Sequence, residues 1–250
     1  MDFAFTDDQL ELKRLARDWL AERYPLDRDW ENDGDRWSEL AELGWLDVAD
    51  AGLGFVEEAI LLEETGYALY PGPYLAHVAG QLDVFGPGGE IETIDSTRRL
   101  KRMPNGETPR LRAAMAAEAL GIAQRALELG VQHAKTREQF GKPIGVYQAV
   151  SHQLANTYAD VELARSLVYW AAWCVAESDE RAEIAAASAK AFATEAAVAA
   201  CERSIQVHGG IGFTWEHPLH RFYKRSLWLE GFGLRPAQLR SVVVANLLLA

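Results

Sequence analysis

Apolar positions recur at spacings of three and four along most of this chain, and the polar and glycine-proline clusters between them mark where helices break. Thr6 followed by Asp7 and Asp8 reads as a helix start, with the acids at the positive end of the dipole. Leu10, Leu12, Leu15, Ala16, Trp19 and Leu20 then supply one apolar face, and Pro25 stops it. Trp37, Leu40, Leu43 and Leu46 predict a short second helix ending at Gly44. Residues 55–69 carry Ile60, Leu61 and Leu62 among Glu57, Glu58, Glu63 and Glu64, which predicts a third, amphipathic helix closed by Tyr70-Pro71-Gly72-Pro73. Residues 74–82 suit a fourth.

The pattern changes over residues 83–109. Gly86-Pro87-Gly88-Gly89 and Pro104-Asn105-Gly106 are turns, and residues 90–94 alternate weakly, as a short strand would. This stretch reads as a linker with at most a hairpin. From Pro109 onward helical spacing returns. Leu111, Met115, Ile122, Leu127 and Val131 line one helix. Val150, Leu154, Val161, Ala164, Val168, Ala171 and Val175 line a second, long one. Eleven of the 20 residues from Ala182 to Cys201 are alanine, which lets helices approach closely and predicts a central bundle helix. Helical runs from His217-Pro218 to Trp228 and from Leu234 to Leu249 complete the pattern. The expected fold class is all-α: an N-terminal helical domain (1–82), a linker (83–109) and a C-terminal antiparallel helical bundle (110–250).

Composition narrows the function. The net charge of −12 argues against a nucleic-acid partner, which wants a basic face. Cys174 and Cys201 sit outside any metal or redox spacing and read as reduced core thiols. His208, His217 and His220 lack an i,i+4 pair with a carboxylate, so no metal site is expected. The opening residues are acidic where a signal segment is basic, and no apolar run approaches the roughly 20 residues of a membrane span. These features suit a cytoplasmic protein without a membrane partner. Arg221, Lys224 and Arg225 form a local basic patch that is either solvated surface or a phosphate contact, and His152 suits an interhelical hydrogen bond.

Two runs interrupt the helical pattern: Thr136-Arg137-Glu138-Gln139-Phe140-Gly141-Lys142-Pro143-Ile144 and Gln206-Val207-His208-Gly209-Gly210-Ile211-Gly212-Phe213. Inside a helix Gly costs about 1 kcal/mol and Pro about 3, so such interruptions call for a reason. Both runs resemble signatures of the acyl-CoA dehydrogenases. The stretch from Arg221 to Gly231 is similar to that family's approach to its catalytic Glu-Gly, and the Trp37 to Trp45 and Glu63 to Pro73 segments match as well. The resemblance fails in the middle, where residues 83–109 stand in place of a β domain, with a remnant around residues 95–100.

The resemblance implies a fold of helical domain plus bundle with the β domain reduced to a linker or hairpin, and an FAD cofactor. It makes Glu230 the base that takes the α-proton of an acyl-CoA while flavin N5 takes the β-hydride. The Glu230 N–H would help polarise the thioester carbonyl, with Gly231 beside the substrate. Leu227, Trp228, Leu229 and Phe232 would desolvate the carboxyl and raise its pKa. Arg137 would meet the FAD pyrophosphate, Phe140 would pack on the cofactor, and Gln206, Gly209 and Gly210 would line its adenosine end. In the family these residues serve a neighbouring subunit's FAD, which implies an oligomer: a homo-oligomer, or a hetero-oligomer with a full-length dehydrogenase. The chain resembles the unequal subunits of actinobacterial heteromers in steroid degradation, with electron-transferring flavoprotein as the implied acceptor.

Plainer readings stand beside these. Glu230 as a solvated helix-end acid, Gly209-Gly210 as a helix stop and Arg137 as a surface ion pair would give a structural partner subunit that does no chemistry. Oxidase or monooxygenase chemistry is a third alternative. Phe232 departs from the family, which usually places a small hydroxyl residue there.

Overall fold

The computed structural model describes residues 4–30, 33–48 and 51–249. The first three residues, part of the acidic opening, lie outside the described residues. Helix α1 (Asp7–Arg23) begins in a capping box: the Thr6 hydroxyl accepts from the Gln9 N–H at 3.2 Å, and the Gln9 side chain accepts from the Thr6 N–H at 3.1 Å. Helices α2 (Trp37–Glu42) and α3 (Phe55–Ala68) follow the expected positions. The expected helix over 74–82 is two short ones, α4 (Tyr74–Val78) and α5 (Leu82–Phe85), split by a turn at Gly80.

The long helices are α6 (Pro109–Thr136), α7 (Gln148–Ala176) and α8 (Ala182–His208), followed by α9 (Leu219–Gly231) and α10 (Pro236–Leu249). Their directions can be read from contacts. Arg112 near the start of α6 pairs with Glu183 at the start of α8 at 2.5 Å, and His133 stacks on His208 at their far ends. Helices α6 and α8 therefore run together. Arg203 meets Asp160 at 2.7 Å, so the early part of α7 lies beside the late part of α8 and runs against it. Tyr223 meets Glu202 at 2.9 Å, which sets α9 against α8 in the same way. The result is an up-down bundle with α8 at its centre, packed on α6, α7, α9 and α10. One continuous core runs from Ala16 on α1 to Phe232 after α9, joining the N-terminal helices to the bundle. Cys174 and Cys201 are both free and buried in it.

Helix α8 continues through a 3-10 turn to Phe213, and Ala182–Phe213 is long and apolar enough to cross a membrane by length and composition. This corrects the expectation that no run approaches that length. Its most apolar window is 67% buried within the fold, as suits a central bundle helix.

Helix α3 is not the amphipathic helix its sequence suggested, because it is packed against both α1 and α6, so Glu63 and Glu64 are buried with Ile60, Leu61 and Leu62. Cations from the flanking helices make this tolerable. Glu63 meets Lys13, Arg165 and the Tyr169 hydroxyl, each at 2.5 Å, and Arg17 holds Glu64. Burial pushes the Glu63 carboxyl up, but Lys13 and Arg165 outweigh it and hold it below the ordinary range. Backbones of α3 and α6 touch at Gly66 and Gly121. A Cβ on either would overlap a carbonyl of the facing helix, Glu118 or Glu63.

The linker is short of a strand. Ile91 and Leu100 exchange backbone hydrogen bonds at 2.9 and 3.0 Å, and that single bridge replaces the strand expected over 90–94. Side chains, not a ladder, fix the linker to the bundle. Arg225 of α9 is fully buried and bonds Asp95 and Thr97 of the linker and Glu118 of α6, the last at 2.5 Å. Arg98 reaches the same Glu118 at 2.5 Å and the Gly72 carbonyl at 2.8 Å. Arg225 is thus no part of an exposed basic patch; three carboxylate or hydroxyl partners hold it inside.

Candidate functional site

The two sequence interruptions meet at one end of the bundle. After α6 the chain makes a two-strand hairpin, β1 (Glu138–Gln139) with β2 (Lys142–Pro143), closed by Phe140 and Gly141, both with positive φ. Arg137 anchors its base: its N–H donates to His133 O at 2.8 Å, and its carbonyl accepts from Ile144 N–H at 2.8 Å. Stacked imidazoles tie this end together, His133 on His208 at 4.2 Å and His208 beside His217 at 4.4 Å. Sequence reading did not find this three-ring stack, since its members are 75 and 9 positions apart in the chain.

What this end presents outward is chemically specific. Phe140 is 92% exposed, an aromatic ring at a turn tip with left-handed backbone. The Arg137 side chain is exposed and has no carboxylate partner among the described residues, so the plainer reading of a surface ion pair is not what the fold shows. Gln206, Gly209 and Gly210 are exposed at the same end of the bundle, which the His133–His208 stack sets. Gly209 stops α8 with φ +64, as a helix stop should, while a Cβ on Gly210 would meet nothing within 4 Å. Nothing in the chain itself requires glycine at 210. A planar cation, a free ring, an amide and open backbone form a donor set suited to a pyrophosphate joined to an aromatic base. Phe213 and Trp215 add exposed rings nearby in sequence.

Glu230 lies elsewhere. It is the penultimate residue of α9, beside Glu195 and Glu202 of α8, and half-buried. Glu195 and Glu202 lie fourteen and seven residues before Gly209 on α8, about 20 and 10 Å along the helix. Arg137, Phe140, Gln206, Gly209 and Gly210 therefore come together, and Glu230 and Gly231 do not join them within one chain. Burial raises the Glu230 carboxyl above its ordinary pKa, Glu195 and Glu202 add to this, and Arg235 opposes it. The Glu230 side chain has no hydrogen bond or ion pair among the described residues. Its N–H belongs to the α9 ladder, which continues to a 2.9 Å bond from Phe232 N–H to Trp228 O.

Phe232 turns inward and packs with Phe85 and Trp228, ring centroids 5.3 and 4.9 Å away. The departure at this position is thus core packing that ties the end of α9 to α5. Arg221 and Lys224 line a cleft of about 630 Å³ between the linker and the N-terminal helices, each over a tryptophan ring. His152 is exposed and makes no hydrogen bond among the described residues. No cluster of three metal-ligating side chains is present among them.

The architecture is that of the acyl-CoA dehydrogenases as a structural class. Butyryl-CoA dehydrogenase from Megasphaera elsdenii superposes with a TM-score of 0.82 at 20% identity, over 99% of this chain and 100% of that one. The ChsE4-ChsE5 complex from Mycobacterium tuberculosis gives 0.79 at 22%, over 100% of each. At the level of sequence, the profile of the acyl-CoA dehydrogenase C-terminal domain matches residues 105–233. The chain belongs to the acyl-CoA dehydrogenase family. Among curated relatives it is 40% identical over 146 residues to acyl-CoA dehydrogenase IpdE2 of Mycobacterium tuberculosis, a match spanning 54% of this chain and 44% of that protein. The chain thus matches less than half the length of this relative.

Proposed function

We propose that this chain is a subunit of a heteromeric, FAD-dependent acyl-CoA dehydrogenase in which Glu230 is the base of α,β-desaturation. The observation that carries this is the carboxyl of Glu230: half-buried, raised in proton affinity, and unpaired, in a fold where Glu63, Glu64, Glu107 and Glu118 are all matched to cations. A carboxylate without a cation partner is free to accept a proton, and a raised pKa strengthens it as a base. FAD, when bound, supplies the hydride acceptor. The chain's own part is to hold Glu230 against the α-carbon of the thioester and to offer Arg137, Phe140, Gln206, Gly209 and Gly210 to the adenosine half of the cofactor.

The two sets lie about 10–20 Å apart along α8, and their match to family motifs that serve a neighbouring subunit's cofactor suits a shared arrangement, one set completing the cofactor site of that neighbour. A full-length dehydrogenase, which carries the β domain that the linker lacks, fits as that neighbour; a homo-oligomer is the simpler form of the same idea. Electron-transferring flavoprotein fits as acceptor, a steroid-derived acyl-CoA as substrate class, and the cytoplasm as the setting.

A second reading has its own support. Phe232, Trp228 and Phe85 pack together as core at the end of α9, with Phe232 where the family places a small hydroxyl residue, which suits a partner subunit that stabilises a dehydrogenase without doing chemistry. One experiment separates the two. The chain is purified alone and co-expressed with a full-length homologue, and flavin absorbance at about 450 nm is followed on adding acyl-CoA. Bleaching that is lost in Glu230→Gln, with flavin content retained, supports the catalytic reading. Bleaching that survives the substitution assigns the base to the partner.

A further inference from the structure

Lys190 is the one basic residue in the alanine-rich stretch from Ala182 to Cys201, and it is fully buried. All three of its ammonium protons find acceptors: the Glu107 carboxylate, the Phe232 carbonyl at 2.6 Å and the Leu234 carbonyl at 3.1 Å. The Glu107 side chain is 1% exposed and also accepts from Arg112 Nε at 3.2 Å. A buried ion pair is seldom more stabilising than apolar packing of the same volume, so stability alone is a weak reason for it.

Its geometric effect is specific. The last carbonyls of a helix have no partner within the helix, and helix ends fray. Here the ammonium grips two carbonyls of the turn that begins two residues after Glu230. Gly233, between them, has φ +66, and a Cβ there would overlap the Glu107 carboxylate. Turn and clamp are therefore fitted to each other. Residues from three elements meet at this point: the linker, the centre of α8 and the end of α9.

We propose that Lys190 and Glu107 are positioning residues that fix the turn leaving α9 at Phe232–Leu234 and thereby the exposure and aim of the Glu230 carboxyl. The catalytic meaning of this rests on the reading of Glu230 as the base; the positioning itself does not. Groups facing Glu230 are Glu195 and Glu202 from α8, Tyr223 of α9 itself and Arg235 beyond the turn.

The test uses the full chain with Lys190→Met and, separately, Glu107→Gln. The Glu230 carboxyl is titrated by carbon-13 NMR, its resonance identified by its loss in Glu230→Gln. Amide hydrogen exchange is followed over residues 229–235. With the clamp broken, water reaches the turn: exchange there rises about tenfold or more while α6 and α7 keep their protection. In Lys190→Met the Glu230 midpoint moves down, toward an ordinary carboxylate. Loss of a nearby positive charge alone moves it up, so an upward shift, or no change in midpoint and exchange, overturns the proposal. Should Lys190→Met fail to fold, the isosteric Glu107→Gln decides by exchange in the turn. In the assembled flavoprotein, acyl-CoA-driven flavin reduction falls by about 10- to 100-fold with KM changed less. If the clamp variants loosen the turn while Glu230→Gln leaves reduction intact, the base reading fails and the positioning stands.

Discussion

Arg225 and Glu118 pair at 2.5 Å with both side chains 1% exposed, and this bond joins α9, five residues before Glu230, to α6. Asp95, Thr97 and Arg98 of the linker close around the same pair. A segment with almost no secondary structure is thus fixed by charge.

Breaking the pair leaves an uncompensated buried charge, which costs about 3–5 kcal/mol. Arg225→Met is expected to destabilise the chain by that amount in urea titration and to open residues 86–106 to proteolysis. Arg225→Lys does not restore it, because one ammonium cannot span Asp95, Glu118 and Thr97 as the guanidinium fork does.

Gly121→Ala forces α3 and α6 apart where their backbones touch. Overpacking of this kind costs about 1–3 kcal/mol. The expected result is a lower urea midpoint with unchanged helical content by circular dichroism. An unchanged midpoint refutes the close approach of the two helices.

Phe140 occupies a left-handed conformation that suits Asn better, and its ring touches little in the chain. Phe140→Asn should leave the stability of the isolated chain unchanged to within about 0.5 kcal/mol. Arg137→Ala should behave alike, since no carboxylate partner is lost among the described residues. Both are expected to lower flavin retention in the assembled complex, measured by absorbance after gel filtration. Full retention in both contradicts the shared cofactor site.

Burial drops the His217 imidazole to about 4, with His208 and His133 adding to the effect, and burial lowers His208 and His133 as well. The unfolded chain therefore takes up these protons first. The stability from keeping the stack neutral is complete above the ordinary histidine value of about 6.5 and is lost as pH falls from there toward 4. After solvent screening, the loss is on the order of 1 kcal/mol, or about 2–4 °C in Tm. His217→Gln should flatten the Tm profile between these pH values, as scanning calorimetry would show.

Much of this was legible along the chain. Thr6 with Gln9, the alanine run of α8 and the spacing of Val161, Ala164 and Val168 each encode a local choice. The interruptions at 136–144 and 206–213 were visible because glycine and proline are costly in helices. The buried Glu63 and Glu64 were not, since a pair of acids on a periodic helix reads as a solvated face. Lys190 left a faint signal, a single charge amid alanines, whose partners lie 83 and 42 residues away. The histidine stack left none.

The sequence by itself determined the helices, their breaks and the family, because capping, periodicity and short motifs act within a few residues. Only the tertiary structure decided which charges are buried together and which end of the bundle each motif occupies. The physical reason is that a buried charge is tolerable only beside its partner, and the partners of Arg225, Glu63 and Lys190 come from distant segments. Placement of Arg137 at one end of the bundle and of Glu230 farther along α8 follows from helix length and direction, which no local pattern records.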